Sequence, residues 1–201
     1  MSQGSVSLQN PGLIATAGVL QLDQKSLAFR VGAVVIGTLA LALSSRIEVP
    51  MVPVPVTMQT FAIAMIGALY GARLGTLTVL AWLGEAMMGL PVLAGGAGGL
   101  AHFAGPTGGY LASFPLMACL VGLLADRGWN AQRPLLAFGS MLAANGLCLA
   151  MGGIWLAGMI GTEKAFLLGV APFIVGAILK SALGAASLVA LSRLAKRSDP
   201  K

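Results

Sequence analysis

The sequence predicts an all-α integral membrane protein with six transmembrane helices. Of its 201 residues, 57% are hydrophobic and only 9% are charged, whereas about a quarter of the residues in a soluble domain carry a charge. Several apolar runs reach the length of about 20 residues that a helix needs to cross a bilayer. The 28 glycines agree with this class, because small residues let transmembrane helices approach each other closely.

Six spans are predicted, to within several residues, at 27–45, 57–71, 74–90, 107–125, 134–157 and 172–191. The chain then divides into an N-terminal cytoplasmic tail at 1–26, a six-helix membrane domain at 27–191 and a basic cytoplasmic tail at 192–201. The second span is short, since about 15 residues make only about 22 Å of helix. We therefore expect the segment before it to fill the remaining depth of the membrane.

The lysines and arginines predict the orientation of these spans. With the N-terminus in the cytoplasm, nine of the twelve basic residues fall on the inner side, Arg46 and Lys164 fall on the outer side, and Lys180 lies within the last span. Cytoplasmic segments of membrane proteins are enriched in Lys and Arg. Both termini are therefore predicted to be cytoplasmic, and the net charge of +6 reflects topology rather than binding of nucleic acid.

A proline-rich segment, VPMVPVPVTMQTF at 49–61, leads into the second span on the predicted outer side. We call residues 49–58 the strap. Proline lacks a backbone N–H and biases its neighbours to extended backbone, so the strap is predicted to be stiff and to be neither helix nor strand. Irregular backbone at membrane depth is tolerated where protein or a water-filled cavity satisfies it. The strap therefore either only connects two spans or covers a cavity open to the outside.

A glycine-rich loop, GLPVLAGGAGGLAHFAGPTGGYLASF at 89–114, follows the third span on the same predicted side. Glycine permits positive φ and close approach of the backbone to a helix or to a ligand. The loop lacks the Gly-Lys-Ser/Thr ending of a phosphate-binding P-loop. A compact re-entrant turn and a ligand-contacting loop both fit this composition.

The segments VPVPVTMQTF, GLPVLAGGAGG and GPTGGYLASF, in this order and spacing, closely resemble the BioY family over about residues 28–190. Members of this family are biotin-specific S-components of energy-coupling factor (ECF) vitamin transporters. The resemblance implies a six-helix S-component fold in a bacterial cell membrane, and biotin as a ligand captured from outside without a cofactor. It also implies an ECF transmembrane coupling protein and two ATPase subunits as partners, since this chain has no nucleotide-binding motif of its own.

Lys180 is the sharpest single feature of the sequence. Pro172 is a natural first residue for the last span, which places Lys180 about 11 Å below its outer end. A lysine at membrane depth costs about 2.5–3.5 kcal/mol and is a functional hypothesis by default. The resemblance implies that Lys180 contacts biotin, because it matches the lysine of the family motif PF-x-x-G-D-x-x-K. The aspartate of that motif is replaced by Ala177.

Glu85 is a candidate replacement for the missing aspartate. It precedes Pro91, the predicted end of the third span, by six residues, which is about 9 Å of helix and nearly the depth of Lys180. Family members usually carry an apolar residue at this position. We expect Glu85 either to replace the aspartate, by pairing with Lys180 or by accepting from a ureido N–H of biotin, or to form a structural ion pair without ligand contact.

Four further side chains are candidate biotin contacts, given the resemblance. Biotin has a ureido ring, a thioether ring and a valerate carboxylate, so its site needs polar partners, an apolar slot and a cation. Lys180 is expected to meet the carboxylate and Trp82, where the family tends to have tyrosine, to wall the slot. Thr57, Gln59 and Tyr110 are expected to serve the polar groups. Asn145 is expected to form a helix-to-helix hydrogen bond instead.

Small residues four apart in the first span give the pairs Ala28 with Gly32 and Ala33 with Gly37. Such spacing is generic for helix packing. In S-components, small-residue spacing on the first helix is where the ECF coupling protein docks, so these four residues are the predicted docking face. A homo-oligomer is also compatible with the sequence.

Catalytic and metal-binding functions find little support. Ser140 is predicted near the inner end of span five and the lone His102 in an outer loop, so the two cannot form a catalytic dyad. His102 has no second ligand at metal-binding spacing, and a surface or packing role is expected for it. The chain is therefore predicted not to be an enzyme. Uptake of another small anionic vitamin and a non-catalytic structural role remain the alternatives to biotin uptake.

Overall fold

The computed structural model describes residues 25–197, with side chains as far as Leu194. The long helices are α1 (Leu27–Ser45), α2 (Gln59–Met87), α4 (Gly108–Asp126), α5 (Pro134–Ile160) and α7 (Ala171–Arg197). The short elements are strands β1 (Glu48–Val49) and β2 (Val56–Thr57), a 3-10 turn (Ala94–Gly96), helices α3 (Ala101–Ala104) and α6 (Thr162–Ala165), and a π turn (Phe166–Val170). Most of the predicted tail at 1–26, and residues 198–201, lie outside the described residues.

The described part of the chain contains five helices that are long and apolar enough to cross a membrane, with the stretch Thr162–Leu194 counted as one. The chain is thus a multi-pass membrane protein built from helices. The predicted second and third spans both fall within α2, so these helices do not by themselves confirm a count of six.

Gly71 breaks α2 into two halves that fold back on each other. Its φ of 79° and ψ of 175° are not helical, and a positive φ of this kind favours glycine. A Cβ built on Gly75 would lie 3.1 Å from the Cα of Gly67, although residues eight apart in a straight helix are about 12 Å apart. The element is therefore a helical hairpin with glycines at its inner contact.

The last helical stretch differs from the prediction at both ends. α7 itself begins at Ala171, within one residue of the predicted start at Pro172, but helical backbone already begins at Thr162, ten residues before that proline. The π turn Phe166–Val170 directly precedes α7, and such turns interrupt the regular hydrogen-bond ladder that a proline cannot join. At the other end α7 continues to Arg197, so most of the predicted tail at 192–201 is helical.

The two halves of α2 and the helix α4 form the centre of the fold. Most residues of α2 and α4 are buried, whereas only a minority are buried in α1 and in the Thr162–Leu194 stretch. α1 packs on α2, α5 packs on α4, and α7 packs on α5. The outer helices present large apolar side chains at their surfaces, as expected for helices in contact with lipid.

The strap is bounded by a short antiparallel ladder, in which Glu48 pairs with Thr57 and Val49 with Val56. The prediction that this segment contains no strand is therefore wrong at its ends. None of the four paired residues is a proline: Pro50, Pro53 and Pro55 all lie between the two strands. Proline has no backbone N–H to donate to a ladder. The peptide bond between Val52 and Pro53 is cis. The strap thus forms a closed loop whose two ends are held together immediately before α2.

Candidate ligand-binding site

A cavity of about 400 Å³ lies between the strap and the glycine-rich loop. This volume falls in the range of about 300–1,000 Å³ that is usual for small-molecule sites. α4 supplies one wall, and α5 and α7 supply one residue each. The lining residues include Pro53, Val54, Pro55, Thr57, Gln59, Leu93, Ala97, His102, Thr107, Tyr110, Leu111, Phe114, Cys148 and Phe173. The walls are mainly apolar with a few polar side chains, as in small-molecule sites generally.

Thr57 and Gln59 form the polar foot of the strap, as the sequence suggested. The Thr57 hydroxyl donates to Oε1 of Gln59 over 2.9 Å, and the backbone N–H of Gln59 donates to Oγ1 of Thr57 over 3.3 Å. The amide nitrogen Nε2 of Gln59 is buried and has no hydrogen-bond partner among the described residues. A buried donor without a partner is costly, so this amide is suited to a ligand acceptor.

Tyr110 lines the cavity, and its hydroxyl already has a partner within the protein. The hydroxyl donates to the carbonyl oxygen of Gly169, in the π turn, over 2.7 Å. The ring lies against Gly152 of α5, where any side chain would collide with it. It also stacks on Phe173 with ring centroids 6.3 Å apart. Its predicted polar role is therefore taken up within the protein, while its ring forms part of the apolar wall.

Trp82 does not line the cavity but supports two parts that do. It is fully buried and stacks on Phe114, a lining residue, with centroids 6.0 Å apart. Its Nε1 donates to the carbonyl oxygen of Val92 over 3.2 Å, and Val92 directly precedes Leu93 of the cavity wall. Trp82 therefore supports the cavity wall through Phe114 instead of forming part of that wall itself.

The glycine-rich loop is fastened to the helices around it. Ser45 Oγ donates to Val92 O over 2.8 Å, and the Arg46 guanidinium donates to Pro91 O over 2.7 Å. The same guanidinium lies over Gly96, whose φ is +75°. A side chain at this position would be disfavoured by the positive φ and would also have to displace the guanidinium. These bonds fix one wall of the cavity on the C-terminal end of α1.

Lys180 lies beside the cavity but does not line it. Its Nζ donates to the carbonyl oxygen of Thr57 over 2.9 Å. Lys180 lines a separate groove of about 340 Å³ between the strap ladder and α7, together with residues such as Glu48 and Leu183. Thr57 lines both spaces, so it stands between the lysine and the cavity.

Glu85 is not brought to Lys180. The structure records no ion pair between these side chains in the described part of the chain, and Glu85 lines neither the cavity nor the groove. Its side chain is half-buried. Ala177, at the position of the family's aspartate, is buried, and its carbonyl oxygen accepts from Ser181 Oγ over 2.7 Å.

Asn145 forms the helix-to-helix contact that the sequence suggested. Its Nδ2 donates to Ser181 Oγ of α7 over 3.2 Å and to Met141 O of its own helix over 3.0 Å. Ser140 Oγ donates to Ala137 O within the same helix over 2.7 Å, and Ser140 does not line the cavity that His102 lines. The described residues contain no group of three His, Cys, Asp or Glu that could hold a metal ion.

Several lining residues were not identified from the sequence. His102 is exposed, and it also lines the cavity. The expectation of a surface or packing role did not include this position beside the cavity. Phe114 lies four residues after Tyr110, a spacing that puts both on one helix face, and this signal could have found it. Phe173, Leu93 and Cys148 carry no such signal, because apolar residues of this kind occur throughout the chain.

The predicted docking face divides into two parts. Ala33 and Gly37 are buried against α2, where Tyr70 donates to Ala33 O over 3.0 Å and a Cβ on Gly37 would lie 3.2 Å from the Tyr70 ring. Ala28 and Gly32 instead line an open groove of about 610 Å³ on α1. Ala33, although mostly buried, also lines this groove, so of the four residues only Gly37 lies outside it.

Comparison with known proteins gives a consistent result. The model of the BioY family matches residues 16–197. A probable biotin transporter BioY of Pyrococcus horikoshii is 39% identical over 141 residues, covering 70% of this chain and 82% of that protein. A biotin transporter BioY of Rhizobium etli is 36% identical over 154 residues, covering 73% and 82%.

A solved structure shares the fold. The crystal structure of the S-component for biotin from an ECF-type ABC transporter superposes with a TM-score of 0.73 at 27% sequence identity. The match covers 84% of this chain and 95% of the other.

Proposed function

The chain belongs to the BioY family, and on this premise we propose that it binds biotin as the substrate-binding S-component of an ECF-type transporter. The observation that carries the proposal is the cavity beneath the strap, with apolar walls and one buried amide, Gln59 Nε2, that lacks a partner among the described residues. This is the arrangement that a mostly apolar ligand with one strong acceptor requires.

Gln59 is the proposed contact for the ureido carbonyl of biotin. Its Oε1 already accepts from Thr57, so the amide is oriented before the ligand arrives and Nε2 remains free to donate. Pre-orientation of this kind lowers the entropy lost on binding. The rings Phe114, Phe173 and Tyr110 then provide the slot for the bicyclic part of biotin, and Trp82 holds that wall from behind.

Lys180 is the proposed partner of the valerate carboxylate. Its Nζ lies 2.9 Å from Thr57 O, and Thr57 lines the cavity. A lysine stem is long and flexible, so Nζ can exchange the carbonyl for a carboxylate that passes Thr57. We leave Glu85 out of the proposed site, because it lines neither space.

The proposed topology has six crossings and two cytoplasmic termini. The two halves of α2 on either side of Gly71 act as the second and third crossings, and the positive-inside distribution of Lys and Arg supports the orientation. The strap and the cavity then face outward. A coupling protein with two ATPase subunits is proposed to complete the transporter, docking at the α1 groove that Ala28 and Gly32 line.

The test is isothermal titration of biotin into the purified, detergent-solubilised protein. We expect saturable binding at one site per chain, with desthiobiotin and lipoic acid as probes of the ureido and ring contacts. Binding of desthiobiotin but not of lipoic acid would support the Gln59 contact, because lipoic acid has a carboxylate but no ureido group. Absence of biotin binding by the folded protein would overturn the proposal.

A further inference from the structure

A second apolar groove lies on the outer surface of the helix pair α5 and α7, far from the cavity. It has a volume of about 700 Å³. Its lining includes Leu135 and Phe138 of α5 and Ala182, Ala186, Ala190 and Arg193 of α7. None of these residues lines the cavity beneath the strap. We call this surface the α5–α7 groove.

The shape of the groove follows from which residues join the two helices. α5 and α7 meet through the Asn145–Ser181 hydrogen bond and through Gly184, which lies against Met141. The alanines of α7 point to the outside of this contact and leave an open channel, because a methyl group fills little space. Leu135 is 84% exposed, so the protein itself does not cover the channel.

Arg193 lines one end of the groove, and Arg133 adjoins Pro134, which lines the same end. Arg193 lies twelve residues along α7 from Ser181, and Pro134 lies eleven residues back along α5 from Asn145, so both are about 17 Å from the Asn145–Ser181 contact. Arg133 directly precedes Pro134, and both arginine side chains are exposed. No acidic side chain lines the groove in the described part of the chain. The groove thus joins an apolar channel to a cationic end.

We propose that the α5–α7 groove binds an anionic phospholipid. One acyl chain lies in the channel over Ala182, Ala186 and Ala190, and the phosphate meets Arg193 and Arg133. Basic pockets between helices at the membrane surface bind anionic headgroups, and the combination of one long apolar channel with a cationic end matches a lipid better than a soluble anion. This inference does not depend on biotin binding, because the groove and the cavity share no residue.

The experiment is native mass spectrometry of the full chain in detergent, titrated with dioleoyl phosphatidylglycerol or dioleoyl phosphatidylcholine. We expect phosphatidylglycerol to be retained preferentially at one site. Arg193→Ala is expected to lower the affinity for phosphatidylglycerol about fivefold, because each basic residue near the headgroup contributes about a fivefold gain in affinity. The double variant with Arg133→Ala is expected to lower it more than tenfold. Ala186→Leu, which fills the channel, is expected to release the lipid while both arginines remain.

Arg127→Ala is the matched control. Arg127 is an exposed arginine at the end of α4 and does not line the groove. Arg127→Ala therefore changes the net charge by the same amount as Arg193→Ala without altering the groove. Equal retention of the two lipids, or equal losses in the Arg127 and Arg193 variants, would overturn the proposal. So would a dimer that Ala186→Leu dissociates without any change in lipid retention, because the groove would then be an interface between two copies. An unchanged melting temperature in each variant verifies folding.

Discussion

The Nζ of Lys180 donates a hydrogen bond to the backbone carbonyl oxygen of Thr57 over 2.9 Å. This single contact joins the middle of α7 to the second strand of the strap ladder, 123 residues away in sequence. Thr57 in turn positions Gln59. The lysine that stands out in the sequence therefore touches the proposed site through the backbone of the strap, and its effect on binding has two possible origins that experiment can separate.

Lys180→Met is expected to weaken biotin binding at least tenfold, because it removes the only basic side chain that the structure places next to the cavity-lining Thr57 in the described part of the chain. Methionine keeps most of the stem and removes the charge. Titration calorimetry with biotin and with biotinamide, which lacks the carboxylate, checks the origin of the loss. If Lys180 meets the carboxylate, the wild type prefers biotin and the variant loses that preference.

An equal loss for biotin and biotinamide would instead assign Lys180 to holding the strap. Glu85→Gln serves as the matched control for charge at membrane depth. Glu85 lines neither the cavity nor the groove of Lys180. The biotin affinity of the Glu85→Gln variant is therefore expected to stay within about twofold of the wild type. A loss as large as that of Lys180→Met would restore the hypothesis that Glu85 replaces the family's aspartate.

Gln59→Leu is expected to lower biotin affinity about tenfold, the value of one lost hydrogen bond to a ligand. Thermal stability is expected to fall as well, because the buried Thr57 hydroxyl loses its acceptor Oε1, although Nε2 has no partner to lose among the described residues. Thr60→Val is the control, since Thr60 also has a buried oxygen without a partner but does not line the cavity. Full biotin affinity in the Gln59 variant would contradict the proposed ureido contact.

Gly152→Ala is expected to destabilise the protein by about 1–3 kcal/mol, the usual result of overpacking a core. Its new methyl group collides with the ring of Tyr110, so biotin binding is expected to fall as well. Gly146→Ala lies on the same helix with nothing within 4 Å of its Cβ and is expected to be neutral. Melting temperatures of the two variants check this, and equal values would show that Tyr110 is not held where the structure has it.

Gly32→Leu is expected to abolish biotin uptake by cells while leaving biotin affinity in detergent unchanged. The new side chain fills the open groove on α1 without meeting any atom of this chain within 4 Å of its Cβ. Gly146→Leu, equally open but on α5, is the control. Uptake that survives Gly32→Leu, measured with labelled biotin, would remove this groove from the proposed docking site.

The sequence predicted the class of protein and the segments around the site for simple reasons. Apolar runs of membrane length are a property of composition, and they placed α1, α4 and α5 to within a few residues. The prolines of the strap and the glycines of 89–114 are local constraints on the backbone, and both segments do border the cavity. The two halves of α2 correspond to the predicted second and third spans, 57–71 and 74–90.

The roles of individual side chains were harder to predict. Trp82 was expected to contact the ligand and packs behind Phe114, while Gly37 was expected to be open to a partner and packs on Tyr70. In both cases the residue type suits the predicted role, but the side of the helix that the residue occupies does not. What the sequence did not contain is the rotation of each helix about its axis relative to its neighbours.

The sequence alone thus determined that this chain is a helical membrane protein with a stiff strap, a glycine-rich loop and one lysine at membrane depth. Only the tertiary structure decided that Lys180 donates to the backbone of Thr57 and that the buried Nε2 of Gln59, a residue that lines the cavity, has no partner among the described residues. It also decided that Ala28 and Gly32 line an open groove while Gly37 is buried against α2. The physical reason is that hydrophobicity and backbone preference act within a segment, whereas the direction of a side chain depends on packing between segments distant in sequence.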